Sequence, residues 1–119
     1  MATSRRQQRI NDAIQRELGS LLLLEIEDPR LNEVVITAVE VTQDLRTARI
    51  FVGAYGSDDR RDEILNGLAH AMPFIRREIG RRVQLRTVPL LDFRWDDSLR
   101  QGEKIERLLH EAMNPEEGR

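Results

Sequence analysis

The chain has 119 residues, 39% of them hydrophobic, which is enough for one domain with a modest core. It has no cysteine, so a disulfide framework and a thiolate metal site are both excluded, and a reducing compartment is the natural fit. A net charge of −2 and a sequence pI of about 5.7 exclude a general basic coat for nucleic acid. Any nucleic-acid site must come from local segregation of charge.

No apolar run approaches the roughly 18 residues of a membrane span. The longest is Leu21–Leu24, and the basic N-terminus is followed by no signal-peptide core. Of the 19 basic residues only Lys104 is lysine. The arginine excess reads as compositional, so each cluster is judged by its position.

Ser4 is placed to cap a helix running from Arg5 to Ile26, with Ile10, Ile14, Leu18, Leu21 and Leu22 as its buried face. Glu25-Ile26-Glu27-Asp28-Pro29 ends it, because the residue before proline avoids the α region. Arg5, Arg6 and Arg9 put positive charge at the end where the helix dipole disfavours it.

Val34–Val41 and Leu45–Tyr55 are rich in β-branched and alternating residues, and the short polar link Thr42-Gln43-Asp44 makes them an antiparallel hairpin. In the second strand Ala48, Ile50, Val52 and Ala54 share one face. Gly56-Ser57-Asp58-Asp59 ends it and caps a helix whose stripe is Ile64, Leu65, Leu68 and Met72. Pro73 then opens a second helix and pushes Met72 out of the α region, which predicts an interhelical kink at Ala71, Met72 and Pro73. Ile75, Ile79 and Val83 form the buried stripe of that second helix.

Leu85–Trp95 reads as a third strand, at an edge because it contains Pro89. Asp96-Asp97-Ser98 stops it and caps a last helix with an Ile105, Leu108, Leu109, Ala112 stripe. The expected organisation is one domain over residues 1–113 and a polar tail over 114–119. The order αββααβα contains a strand–helix–helix–strand crossover, which makes strands two and three parallel. The predicted fold is therefore α+β, a small three-stranded mixed sheet with helices packed on one face.

That order, with a kinked helix pair in a βααβ unit, resembles a type II K-homology (KH) domain. The residues Asp28-Pro29-Arg30-Leu31, Asp44-Leu45 with Ala48, Phe74-Ile75-Arg76, Gly80, Leu85-Arg86, Pro89, Phe93, Asp97-Ser98 and Leu108-Leu109 go further. In order and spacing they resemble the bacterial ribosome-binding factor A family over residues 5–112. The resemblance implies a cytoplasmic, non-enzymatic assembly factor without cofactor or small-molecule substrate. It implies binding to immature small ribosomal subunits and their rRNA, a role in rRNA maturation including 5′-end processing, and importance for growth at low temperature; we expect a monomer. Ordinary KH domains place a GxxG loop between the two helices. This family has an Ala-x-Gly kink there, and Ala71, Met72 and Pro73 stand at those positions. Proline preserves a bend but lacks glycine's access to positive φ.

The candidate RNA-binding residues are Arg76, Arg77, Arg81, Arg82 and Arg86 on the kinked pair, followed by Arg5, Arg6, Arg9 and Arg30. Arginines of this kind contact phosphates and position a protein without reading bases. Aromatic residues make up 4% of the chain, too few for a base-stacking platform, so Phe74, Phe93 and Trp95 are assigned to the core. Asp92, Asp96 and Asp97 admit a second reading, the Mg²⁺ site of an RNA-processing nuclease, against the simpler one of a helix cap. A third reading is a protein-interaction module using the last helix and tail. His70 and His110 fall on different predicted helices with no metal-ligand spacing.

Overall fold

The computed structural model describes residues 3–55 and 58–113. The tail expected over 114–119, and Gly56 and Ser57 of the expected cap, lie outside the described residues. The elements are helix α1 (Arg5–Leu24), strands β1 (Val35–Val41) and β2 (Thr47–Gly53), helix α2 (Arg61–Arg82), strand β3 (Leu90–Trp95) and helix α3 (Ser98–Met113). Short 3₁₀ turns at Pro29–Leu31 and Asp58–Arg60 precede β1 and α2.

The sheet order is β1-β2-β3, with β1 antiparallel and β3 parallel to the central β2. This is the α+β class and the mixed three-stranded sheet expected from sequence. Ala48, Ile50, Val52 and Ala54 are all buried, as their alternation predicts. They meet Ile10, Ile14, Leu18 and Leu21 of α1 and Ile64, Leu68, Ile75 and Ile79 of α2 in one core. Both helices thus pack their apolar stripes against one layer.

Ser4 forms a full capping box with Gln7 at the start of α1. Three amide side chains of α1 then reach β1. Gln7 Nε2 donates to the Val41 carbonyl at 3.1 Å and Gln15 Nε2 to the Ile36 carbonyl at 3.3 Å, while Asn11 Oδ1 accepts from the Val41 N–H at 2.8 Å. A row spaced i, i+4, i+8 therefore satisfies backbone groups of an edge strand that would otherwise be open to pairing.

Three sequence expectations are corrected. First, α2 runs unbroken from Arg61 to Arg82 with Pro73 inside it. Ala71, Met72 and Pro73 all lie inside this helix, so the helix end expected near Met72 is absent; the order αββααβα is kept by counting the halves on either side of Pro73 separately. The reason is burial. Ile64, Leu68, Ile75 and Ile79 fall on one helical stripe that continues through Pro73, and all four are fully buried. Burying a side chain of this size contributes about 1.5–3 kcal/mol, so together they outweigh the roughly 3 kcal/mol cost of an interior proline. Pro73 itself is exposed, as is Ala69, whose carbonyl loses its usual donor.

Second, the third strand starts at Leu90 and not at Leu85. Arg76 holds the carbonyls of Pro89 and Val88 (2.7 and 3.4 Å), and the ladder begins where Leu90 N–H donates to the Arg46 carbonyl. Third, the stripe of α3 is not buried: Ile105, Leu108 and Leu109 are each more than half exposed, and Ala112 is exposed as well. Among the described residues, no helix is long and apolar enough to cross a membrane.

Candidate nucleic-acid interface

The five arginines of the expected cluster divide into two groups. Arg76 is committed to the two carbonyls before β3. Arg82 is committed to acids: it pairs with Glu25, with Glu78 at 3.3 Å and with Glu17 at 3.7 Å, and its side chain is only 25% exposed. It thus ties the last turn of α2 to the second half of α1. Arg77 and Arg86 are exposed and make no ion pair among the described residues. The Arg77 guanidinium lies 5.6 Å from the Phe74 ring centre, which steadies it without neutralising it. Arg81 contacts Glu78 at 2.8 Å and yet leaves 72% of its side chain in solvent.

Glu78 is the carboxylate at the centre of this seam, and it is buried. Hydrogen bonds from Arg81 first, and then the charges and bonds of Arg81 and Arg82, hold its carboxyl below the usual range. The hydrogen bond that Arg82 donates to Glu25 in turn raises the Arg82 guanidinium above its ordinary value.

Arg30 is engaged within its own turn. It forms a fork with Asp28, Nη2 to Oδ2 at 2.7 Å, inside the 3₁₀ turn that Asp28 caps through the Arg30 N–H. The Arg30 side chain is also the main reason the Asp28 carboxyl is held low. Sequence reasoning missed Arg60, which donates to the carbonyls of Asn32 and Arg30 at 3.0 and 3.1 Å and locks the same turn to the start of α2. No local pattern marks such a contact, because its acceptors are backbone atoms distant in sequence.

Arg5, Arg6 and Arg9 are exposed on the first turns of α1. Arg16 joins Arg5 and Arg9 on one surface, which sequence reasoning also missed. Its spacing from Arg5 and Arg9 was the available signal.

The acids near Trp95 do structural work. Asp96 accepts from the Ser98 N–H at 2.9 Å and from the Thr37 hydroxyl at 2.5 Å. The Thr37 bond first, then the Ser98 N–H, holds its carboxyl below the ordinary value. Asp92 pairs with Arg94 at 3.0 Å. Among the described residues no group of three His, Cys, Asp or Glu side chains is placed to hold a metal ion. Phe74, Phe93 and Trp95 are partly buried and pack against the core.

The surface is therefore a scaffold of pinned arginines carrying exposed ones, suited to phosphate contact. The family model of ribosome-binding factor A matches residues 6–109. A protein of that name from Desulforamulus reducens is 44% identical over 113 residues, covering 95% of this chain and 94% of its own. The solution NMR structure of a Thermotoga maritima protein matches with a TM-score of 0.68 at 29% identity, over 79% of this chain and 90% of that one. A homology model of the Thermus thermophilus ribosome-binding factor A, fitted into a cryo-EM map of a complex of that factor with 30S, shares the fold with a TM-score of 0.57. It is 23% identical, over 81% of this chain and 97% of that one.

Proposed function

The chain belongs to the ribosome-binding factor A family, and on that premise we propose that it is a non-catalytic assembly factor that binds immature small ribosomal subunits through their rRNA. In this reading it acts in the cytoplasm as a monomer, on a KH-like domain spanning residues 1–113, and needs no cofactor. It supports maturation of the small-subunit rRNA, including 5′-end processing, and matters most for growth at low temperature. The observation that carries the reading is the near full-length match to the family and to its curated relative. The 30S complex of the Thermus protein points to the same partner.

Arg77, Arg81 and Arg86, with Arg5, Arg6 and Arg9, are assigned to phosphates; Arg76, Arg82 and Arg30 hold the scaffold that presents them. Co-sedimentation with immature and mature small subunits tests the reading. The wild type is expected to pellet with immature particles. Arg77→Glu/Arg86→Glu is expected to weaken binding and to flatten its salt dependence, since each lost phosphate contact lowers the slope. Equal pelleting with mature and immature particles, or none, refutes the assembly role.

A further inference from the structure

The two long helices treat their dipoles differently. Helix α2 carries Asp62 and Glu63 in its first turn and Arg81 and Arg82 in its last, each sign where the dipole favours it. Helix α1 does the reverse. It has no acid in its first turn, where Arg5 and Arg6 stand, and no base in its last. The capping requirement there is already met by Ser4 and Gln7. Arg5, Arg6 and Arg9 thus oppose the helix they sit on, and an anionic ligand would remove the conflict.

Helical spacing organises these charges. Arg5, Arg9 and Arg16 stand at i, i+4 and i+11, which at about 100° per residue puts them within roughly 40° of one another. The buried stripe Ile10, Ile14, Leu18 and Leu21 lies on the opposite side of the helix. Arg5, Arg9 and Arg16, with Gln8, Asp12 and Ala13, line a shallow groove of about 490 Å³. Arg5 and Arg9 make no ion pair among the described residues. Arg16 has one loose contact, 3.5 Å to Glu17, and stays 71% exposed. From Arg5 to Arg16 the row spans about 16 Å.

This row is separate from the exposed arginines of α2 and the loop after it. The seam between the helices is occupied by Glu17, Glu25 and Glu78 paired around Arg82, so it carries no net positive charge to continue the row. The groove also contains no aromatic side chain, so it cannot stack unpaired bases. A stiff row of guanidinium groups suits the regular backbone of an A-form duplex, which proteins recognise by phosphate and shape.

We infer that the outer face of α1 is a second RNA contact, in which Arg5, Arg9 and Arg16 take successive phosphates of a duplex segment while Arg77, Arg81 and Arg86 hold another part of the RNA. The inference rests on the reading of the chain as a binder of small-subunit rRNA. Asp12 is the one wrong charge in the row. Its Oδ1 accepts from Gln8 Nε2 at 2.8 Å, and it sets a repulsive point that the phosphates must straddle.

The test measures binding of the full chain to transcribed small-subunit rRNA and to an RNA duplex of about 20 base pairs, as a function of salt. Arg5→Gln/Arg9→Gln/Arg16→Gln is expected to lose about tenfold in affinity for the duplex and about two to three units of salt slope. Asp12→Asn is expected to bind the duplex a few-fold tighter. On the rRNA, hydroxyl-radical footprinting is expected to give two protected patches, one lost in the α1 triple variant and the other in Arg77→Gln/Arg86→Gln. If the α1 triple variant matches the wild type while the α2 variant fails, the second contact is overturned and the functional reading stands. If the α1 row prefers single-stranded RNA, the duplex assignment is overturned. If the wild type binds neither probe, both fall.

Discussion

The same substitution, glycine to alanine, is expected to have opposite signs at two positions, and the space around each decides which. Gly19 lies inside α1, and a Cβ built there meets nothing within 4 Å. Alanine then brings only its helix propensity, which favours the fold by about 0.5–1 kcal/mol. Gly53 ends β2, where a Cβ would lie 2.7 Å from the Asp96 carbonyl oxygen and 3.4 Å from Leu99 Cδ1. That carbonyl cannot yield freely, because the Asp96 N–H donates to Val52 at 2.8 Å and its carboxylate is held by Thr37 and Ser98. Overpacking against a fixed backbone costs about 1–3 kcal/mol. The two variants should therefore differ by about 1.5–4 kcal/mol, or roughly 6–16 °C in Tm for a chain of this size. Urea and thermal unfolding followed by far-UV circular dichroism would measure it; Trp95 fluorescence is unsuitable because that residue adjoins Asp96. A Gly53→Ala variant as stable as the wild type, or a destabilised Gly19→Ala, would refute the steric argument.

Asn11→Ala should cost about 1–3 kcal/mol in urea unfolding, because it orphans the buried Val41 N–H; a change within 0.5 kcal/mol would show that water replaces the amide. Acid should destabilise the protein through Asp96, whose folded pKa is lowered from 3.8. A depressed carboxylate contributes stability above its unfolded pKa and loses it as pH falls through the folded value. Thr37→Val removes the largest cause, so its stability should fall less steeply below about pH 4 than that of the wild type; parallel curves would count against the Thr37 bond. Pro73→Ala restores a helix N–H and removes a ring clash, so it should raise stability in the same urea assay by about 1 kcal/mol or more. A loss on that change would mean that the core is fitted to a bend at Pro73.

Much of the fold was legible because the strongest patterns were local and periodic. The α1 stripe, the Ser4 cap and the β2 alternation Ala48, Ile50, Val52, Ala54 all landed where spacing put them. The break at Pro73 did not, because proline chemistry is a local rule and the stripe Ile64, Leu68, Ile75, Ile79 is a tertiary one. The start of β3 was missed for a related reason: β propensity extends back to Leu85, but Arg76 from another element claims the carbonyls before Leu90. The stripe of α3 had the right periodicity for burial, yet periodicity does not say whether a surface is there to receive it.

The candidate site was less legible than the fold, and the division of the arginines explains why. In sequence Arg76, Arg77, Arg81, Arg82 and Arg86 form one positive run. In space their roles depend on partners up to 57 residues away, such as Glu25 against Arg82. A guanidinium that holds two carbonyls or three carboxylates has fewer N–H donors, and beside carboxylates less net charge, to offer a phosphate. A chain with a net charge of −2 can thus present positive surface only where its acids are spent elsewhere. Here Glu17, Glu25 and Glu78 are drawn into the seam around Arg82, Asp28 into its turn and Asp96 into the end of the sheet. Apart from Asp12, the exposed charge left on the α1 row and beyond the seam is arginine, so the internal pairing of the acids creates local charge that the overall composition conceals.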